Sequence, residues 1–201
     1  MAVFMAGATV PNKVNYVNYL QSSGMQYIDT GVVAANGFRA KIGLTLTASS
    51  FSALCGIIGS HNSSSPYGRN FFATTGSVFQ IGIGDGFYSG PSPISGTYYD
   101  FDLSNVYNDF YLSIDGNNQS LSVAATASNN YSTNTLYLLD VSGYSGFEST
   151  AAKLYYCKIY VDGILVRDFY PCLDKNGVPC LYDKVDEKYY YNAGTGAFTE
   201  G

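Results

Sequence analysis

The 201-residue chain has no Trp, one His and three Met, and only 12% of its side chains are charged. A single histidine, His61, excludes histidine-rich metal sites and leaves acid–base chemistry short of groups. Glutamate is scarce too: Glu148, Glu187 and Glu200 are scattered and mostly terminal. They do not supply the two carboxylates that a glycoside hydrolase sets on one strand face. Ten basic against fifteen acidic side chains give a net charge of −5, which repels a phosphate backbone, so nucleic acid is not an expected partner. The longest apolar runs fall far short of a membrane span, and the opening MAVFMAGATVPNKVNY has no Lys or Arg before its apolar residues. Neither a transmembrane helix nor a signal peptide is expected. Ordinary secretion is therefore unexpected, although a chain released by lysis as part of a particle needs no signal. Four Cys in a chain of this size do not make a disulfide scaffold.

What is present favours strands. Hydrophobic residues make up 46% of the chain, with 20 Tyr and 12 Phe, a profile of β-branched and aromatic material that suits one large β domain. Residues 1–17 show no period and include Gly7 and Pro11 among apolar residues; they read as an arm, and an arm that apolar requires a partner. From Tyr19 on, about twelve short runs rich in Val, Ile, Thr, Tyr and Phe alternate with Gly, Asn, Ser and Pro clusters. Among them are Phe38–Leu46, Asn70–Thr74, Val78–Ile83, Tyr98–Leu103, Asp109–Ile114, Lys153–Val161 and Leu165–Tyr170. That number of strands implies two packed antiparallel sheets, an all-β sandwich over residues 18–201.

Two hairpins carry a readable register. Around Asp162-Gly163 a two-residue loop sets Lys158 opposite Arg167. A three-residue loop instead sets Ile159 opposite Leu165 and Lys158 diagonal to Asp168, which avoids like charges across the ladder. Around Asp174-Lys175-Asn176-Gly177 a three-residue loop places Leu173 opposite Pro179, where the missing proline N–H is not needed. Cys172 then faces Cys180, close enough to bridge but not in the preferred pair type, so the disulfide stays open. Cys55 and Cys157 sit in apolar runs and read as buried free thiols.

The segments YLQSSGMQYIDTG (Tyr19–Gly31) and KIYVDGILVRDFYPCLDKNGVPCLYDKVDEKYYYNAGTGAF (Lys158–Phe198), with a central hairpin at Asp115-Gly116-Asn117, resemble the opening and closing signatures of a laminin-G-like, concanavalin A-like domain. Such domains are widespread in tailed-phage and prophage proteins and in surface proteins of gut bacteria. The resemblance implies a jelly-roll sandwich that acts as a structural or adhesion module on tail fibres, baseplates or capsids, in some relatives binding glycans. Residues 42–150 match only in general plan.

Candidate chemistry is thin. His61, in SHNSSSPYGRN, reads by default as a polar surface residue. Asp100 and Asp102 in TYYDFDL share a face about 6.6 Å apart along the strand; they are candidates for acid chemistry or for holding Ca²⁺ with Asp85 or Asp115, against a default of two solvated carboxylates. GIGDGFYSG (Gly82–Gly90) has glycines but no Lys, and reads as a turn rather than a phosphate loop. Glycan binding is better supplied, by aromatic faces plus Asn, Asp and Arg hydrogen bonds: His61, Asn62, Tyr67 and Arg69 in one loop, Asp85, Phe87 and Tyr88 in another. The expectation is a non-enzymatic virion surface protein of a tailed phage, a capsid decoration or tail-associated module. Residues 1–16 contact other virion proteins, the protein forms a homo-oligomer on the particle, and the exposed sandwich binds host or mucosal glycans. A carbohydrate-binding adhesin is the alternative and a glycoside hydrolase a distant third.

Overall fold

A computed structural model describes residues 13–49, 51, 53–62 and 68–201. In chain order its strands are β1 Asn15–Tyr16, β2 Leu20–Ser23, β3 Ile28–Asp29, β4 Arg39–Leu46, β5 Leu54–Ser60, β6 Arg69–Thr75 and β7 Val78–Gly84. There follow β8 Gly86–Ser89, β9 Tyr98–Val106, β10 Asp109–Ile114, β11 Asn117–Asn118, β12 Ser122–Ala125 and β13 Tyr137–Leu138. The chain ends with β14 Glu148–Ser149, β15 Ala151–Val161, β16 Ile164–Leu173, β17 Pro179–Asp183, β18 Lys188–Tyr190 and β19 Thr199–Glu200. The protein is all-β, with no helix among the described residues.

Strand alternation sorts side chains into two faces. In β4, Ala40, Ile42, Leu44 and Leu46 are fully buried while Arg39, Lys41 and Thr45 are partly exposed. One sheet runs β11-β10-β9-β4-β15-β16-β17-β18, with β2 also on β15, β19 on β2 and β1 on β16. The other runs β12-β8-β7-β6-β5-β13-β3, antiparallel except for β14, which lies parallel to β5. The inner faces of the two sheets meet in one aromatic core. Phe72 and Phe79 of the second sheet contact Phe101 of the first, with ring centroids 4.9 and 5.1 Å apart. A buried polar bridge fixes the same interface: Asn105 Nδ2 donates to Asn70 Oδ1 at 2.7 Å, and Asn105 Oδ1 accepts from the Phe38 amide at 2.7 Å.

The sequence expectations need three corrections, one of register and two of strand extent. Around Asp162-Gly163 the loop has two residues, not three: Val161 faces Ile164, and φ is positive at both Asp162 (50°) and Gly163 (77°), the I′ geometry. A bulge between Ile159 and Tyr160 then slips the ladder, so Lys158 faces Asp168 directly and pairs with it at 3.3 Å. Repulsion from Arg167 is avoided by the bulge rather than by loop length. The Gly82–Gly90 stretch is not simply a turn: it holds the end of β7 and all of β8, joined at Gly84 (φ 56°). Finally, the first sheet reaches back to Asn15 and Tyr16, which pair with Leu173 and Cys172; residues 1–12 of the expected arm lie outside the described residues. The second hairpin has the expected register, Leu173 opposite Pro179 and Cys172 opposite Cys180.

The opening and closing segments hold each other through buried side chains. Gln26, 2% exposed, accepts at Oε1 from the Ser23 amide (2.8 Å) and from the Ser22 and Ser23 hydroxyls, and donates from Nε2 to the Thr195 carbonyl at 3.1 Å. Asn192 Oδ1 accepts from the Tyr27 and Gly194 amides. Asp183, fully buried, accepts at Oδ1 from the Asp168 (2.7 Å) and Val185 (3.0 Å) amides, with Arg167 Nε 3.5 Å from Oδ2. Arg167 also donates to the Thr30 carbonyl. The polar residues of both signature segments therefore close the fold. Replacing Gln26 with Ala orphans buried donors and acceptors, and should lower the unfolding free energy by about 1–3 kcal/mol in urea titrations with an unchanged m-value; a loss below about 0.5 kcal/mol would contradict this role.

Candidate functional site

On the second sheet, alternation along β6 sends Asn70 and Phe72 inward and Arg69 and Phe71 outward. Phe71 is nevertheless only 3% exposed, because its ring lies down on the sheet. A Cβ on Gly82 would collide with the Phe71 ring, and one on Gly59 with its Cβ, so those glycines make room for the ring. Phe147 packs edge-on against Phe71 at 4.9 Å, and Tyr144 covers His61 at 4.8 Å. Arg69 lies 5.5 Å from the Phe87 ring centre and donates to the Asp85 carbonyl. These residues, with Leu54 and Gln80, line a depression of about 300 Å³ on the outer face.

His61, Arg69 and Phe87, from two separate loops of the sequence reading, thus come together. His61 is not the polar surface residue expected: it is 5% exposed among Phe71, Tyr144 and Phe147. Burial, reinforced by the nearby Arg69 charge, pushes its imidazole below the usual range, which keeps it neutral at physiological pH. Asp85 offers its carbonyl to Arg69, while its carboxylate accepts from Ser128 Oγ at 2.8 Å. Asn62 faces Ser132, accepting from its hydroxyl at 3.1 Å. Tyr88 leaves the candidate set. It alternates with Phe87, so it points into the core, is 8% exposed and packs on Phe110 at 4.1 Å. Tyr67 lies outside the described residues.

Tyr144 and Phe147 escaped the sequence reading because they arrive from a loop far along the chain. Phe71 was within reach: once Phe72 is given to the core, its neighbour must face out.

The other candidates stand on the first sheet. Asp100 and Asp102 both face outward on β9, opposite the buried Tyr99, Phe101 and Leu103, but Asp102 is not simply solvated. Arg39 grips it through Nε (2.9 Å) and Nη2 (2.6 Å), the Tyr111 hydroxyl donates at 2.7 Å, and Lys41 lies 3.2 Å away. Burial draws its carboxyl upward, but hydrogen bonds from Arg39, Tyr111 and Lys41 outweigh this and hold it below the usual carboxylate range. An acid so strongly ionised has no proton to give a leaving group. Its oxygens are also committed to two cations, and Asp85 belongs to the opposite sheet. No group of three or more His, Cys, Asp or Glu placed to hold a metal occurs among the described residues. All four cysteines are free thiols; Cys172 and Cys180 are buried with their sulfurs 3.5 Å apart, and Cys55 is half-buried.

The depressed Asp102 carboxyl gives a pH signature. Its stabilising contribution is full above the unfolded-state value near 4 and is lost as pH falls through the lower folded value. Asp102→Asn should therefore cost on the order of 1 kcal/mol at pH 7, the pair being partly open to solvent, and the difference from wild type should shrink as pH falls below the unfolded-state value. A gap independent of pH, measured by chemical unfolding, would show that the carboxylate charge is not what Arg39 and Lys41 hold.

No model of a known protein family matches the chain, and comparison with curated proteins gives no match.

Proposed function

We propose that the chain is a non-enzymatic surface protein of a tailed-phage particle, a capsid decoration or tail-associated module with a laminin-G-like jelly roll. Residues 1–16 contact other virion proteins, copies associate as a homo-oligomer, and the outward sandwich binds glycans. The observation that carries the glycan-binding part of this reading is the depression of His61, Arg69, Phe87, Tyr144 and Phe147; the particle part rests on the resemblance of the two bracketing segments and on the apolar arm. The depression offers aromatic faces for sugar C–H surfaces beside guanidinium and amide donors. The same depression supports the second reading, a carbohydrate-binding adhesin. The third, a glycoside hydrolase, loses ground because Asp102 is locked in ion pairs rather than poised as an acid.

The arm is best tested by removing residues 1–12 only. Tyr16 pairs with Cys172 and packs edge-on against Tyr170 and Tyr182 at 6.3 and 6.4 Å, so a longer deletion would damage the sheet. The shortened protein should keep its melting temperature and fail to sediment with particles. If it loads like the full chain, anchoring by this segment is wrong. For the glycan face, Phe87→Ala is the informative variant, since Tyr88 is part of the core.

A further inference from the structure

The outer face of the first sheet carries a cavity of about 470 Å³, lined by Lys41, Asp100, Asp102, Tyr111, Ser113, Gly116, Asn118 and Tyr156. Its floor is made by a break in strand alternation. A bulge in β15 between Leu154 and Tyr156 turns two consecutive tyrosines to the same side. Tyr155 leans edge-on against Tyr98, with centroids 5.3 Å apart. Tyr156 lies down over Gly43: a Cβ on that glycine would meet the ring at 2.5 Å. The phenol of Tyr156 donates to Asp100 Oδ1, which sets the ring in the plane of the sheet. Asp100 is in turn positioned by its own amide, which donates to Asp115 Oδ1 at 3.0 Å. The hairpin carrying Gly116 and Asn118 forms one wall and Lys41 stands across from it.

We propose that this cavity is a saccharide site, separate from the depression on the opposite sheet, and that it takes uncharged sugars. The size suits one or two pyranose rings. The Tyr156 ring offers a flat face for the C–H side of a sugar, while Asp100, Ser113, Asn118 and Lys41 present acceptors and donors to its hydroxyls. Charge decides the class. Arg39 and Lys41 are both engaged by Asp102, and Asp100 has a phenol rather than a cation beside it, with Asp115 close by. Three carboxylates, Asp100, Asp102 and Asp115, thus stand against two cations, Arg39 and Lys41, and a uronate, sialate or phosphate would add negative charge to a partly desolvated site that is already acidic. An apolar ligand would cover the same carboxylates without offering them a hydrogen bond. A neutral polyol satisfies them by hydrogen bonding, and carboxylate acceptors bind hydroxyls more strongly than neutral ones do.

The proposal does not depend on the chain's place on a particle, and it is separable from glycan binding at His61 and Phe87. Affinity electrophoresis of the full chain through gels containing dextran, mannan, galactan or xylan, and separately polygalacturonate or heparin, is the test. At least one neutral polymer should retard the wild-type protein. Retardation should weaken about tenfold or more in both Tyr156→Ala and the isosteric Asp100→Asn, with melting temperatures close to wild type, and should be unchanged in Phe87→Ala. Absence of retardation by any neutral polymer, preference for the acidic ones, or binding that survives in either site variant would each overturn the proposal. Loss in Phe87→Ala alone would place glycan binding on the opposite sheet and leave this cavity without a role.

Discussion

A carboxamide and a carboxylate shut away from water set the frame on which the rest depends. Gln26 and Asp183 lie 2% and 0% exposed, and polar groups at that depth need partners: hydrogen bonds hold Gln26, and Asp183 accepts two amides at Oδ1 with the Arg167 guanidinium 3.5 Å from Oδ2. Those bonds run between segments far apart in the sequence: Gln26 reaches Thr195, and Tyr27 is held by Asn192. Asp183 joins β17 to β16 through the Asp168 amide, and Arg167 carries the link on to the Thr30 carbonyl. Opening any one strand of this closure would leave several buried groups unpaired at once, so the two ends of the sandwich hold or open together.

The outer faces of the two sheets share one device. A glycine on a neighbouring strand removes a Cβ and an aromatic ring lies down in the space: Phe71 over Gly82 on one sheet, Tyr156 over Gly43 on the other. A ring pressed flat on backbone is fixed by that packing. The neighbouring groups differ. On one side they are Arg69, His61 and more aromatic rings; on the other they are carboxylates tied to Arg39, Lys41 and phenols. The tyrosines of the closing segment add a third pattern. Tyr170 and Tyr182 pack against Tyr16, and Lys184 lies 3.6 Å over the Tyr170 ring, so these rings fasten β1 to the sheet.

The fold class was legible because alternation is strong: β4, β7, β9 and β10 fall where apolar residues recur at every second position. The register at Leu173 and Pro179 was legible too, since a proline without an N–H tolerates few ladder positions. Bulges were not. The slips at Ile159/Tyr160 and Leu154/Tyr156 answer to neighbours on other strands, Asp168 and Gly43, which no local pattern names. The candidate sites show the same division. His61, Arg69 and Phe87 were picked by residue type, whereas their burial, the inward turn of Tyr88 and the contributions of Tyr144 and Phe147 depend on tertiary packing. Asp102 was found, but its captors Arg39 and Lys41 stand on β4, some sixty positions earlier.

Native-state hydrogen exchange measures the closure directly. The amides of Ser23, Tyr27, Asp168 and Val185 each donate to a side chain of the closure. They should exchange only with the whole molecule, at the free energy of global unfolding, like those of the central strands β4 and β9. Exchange of these four amides at a free energy well below that of the central strands would mean that the two ends open locally, and would contradict the account.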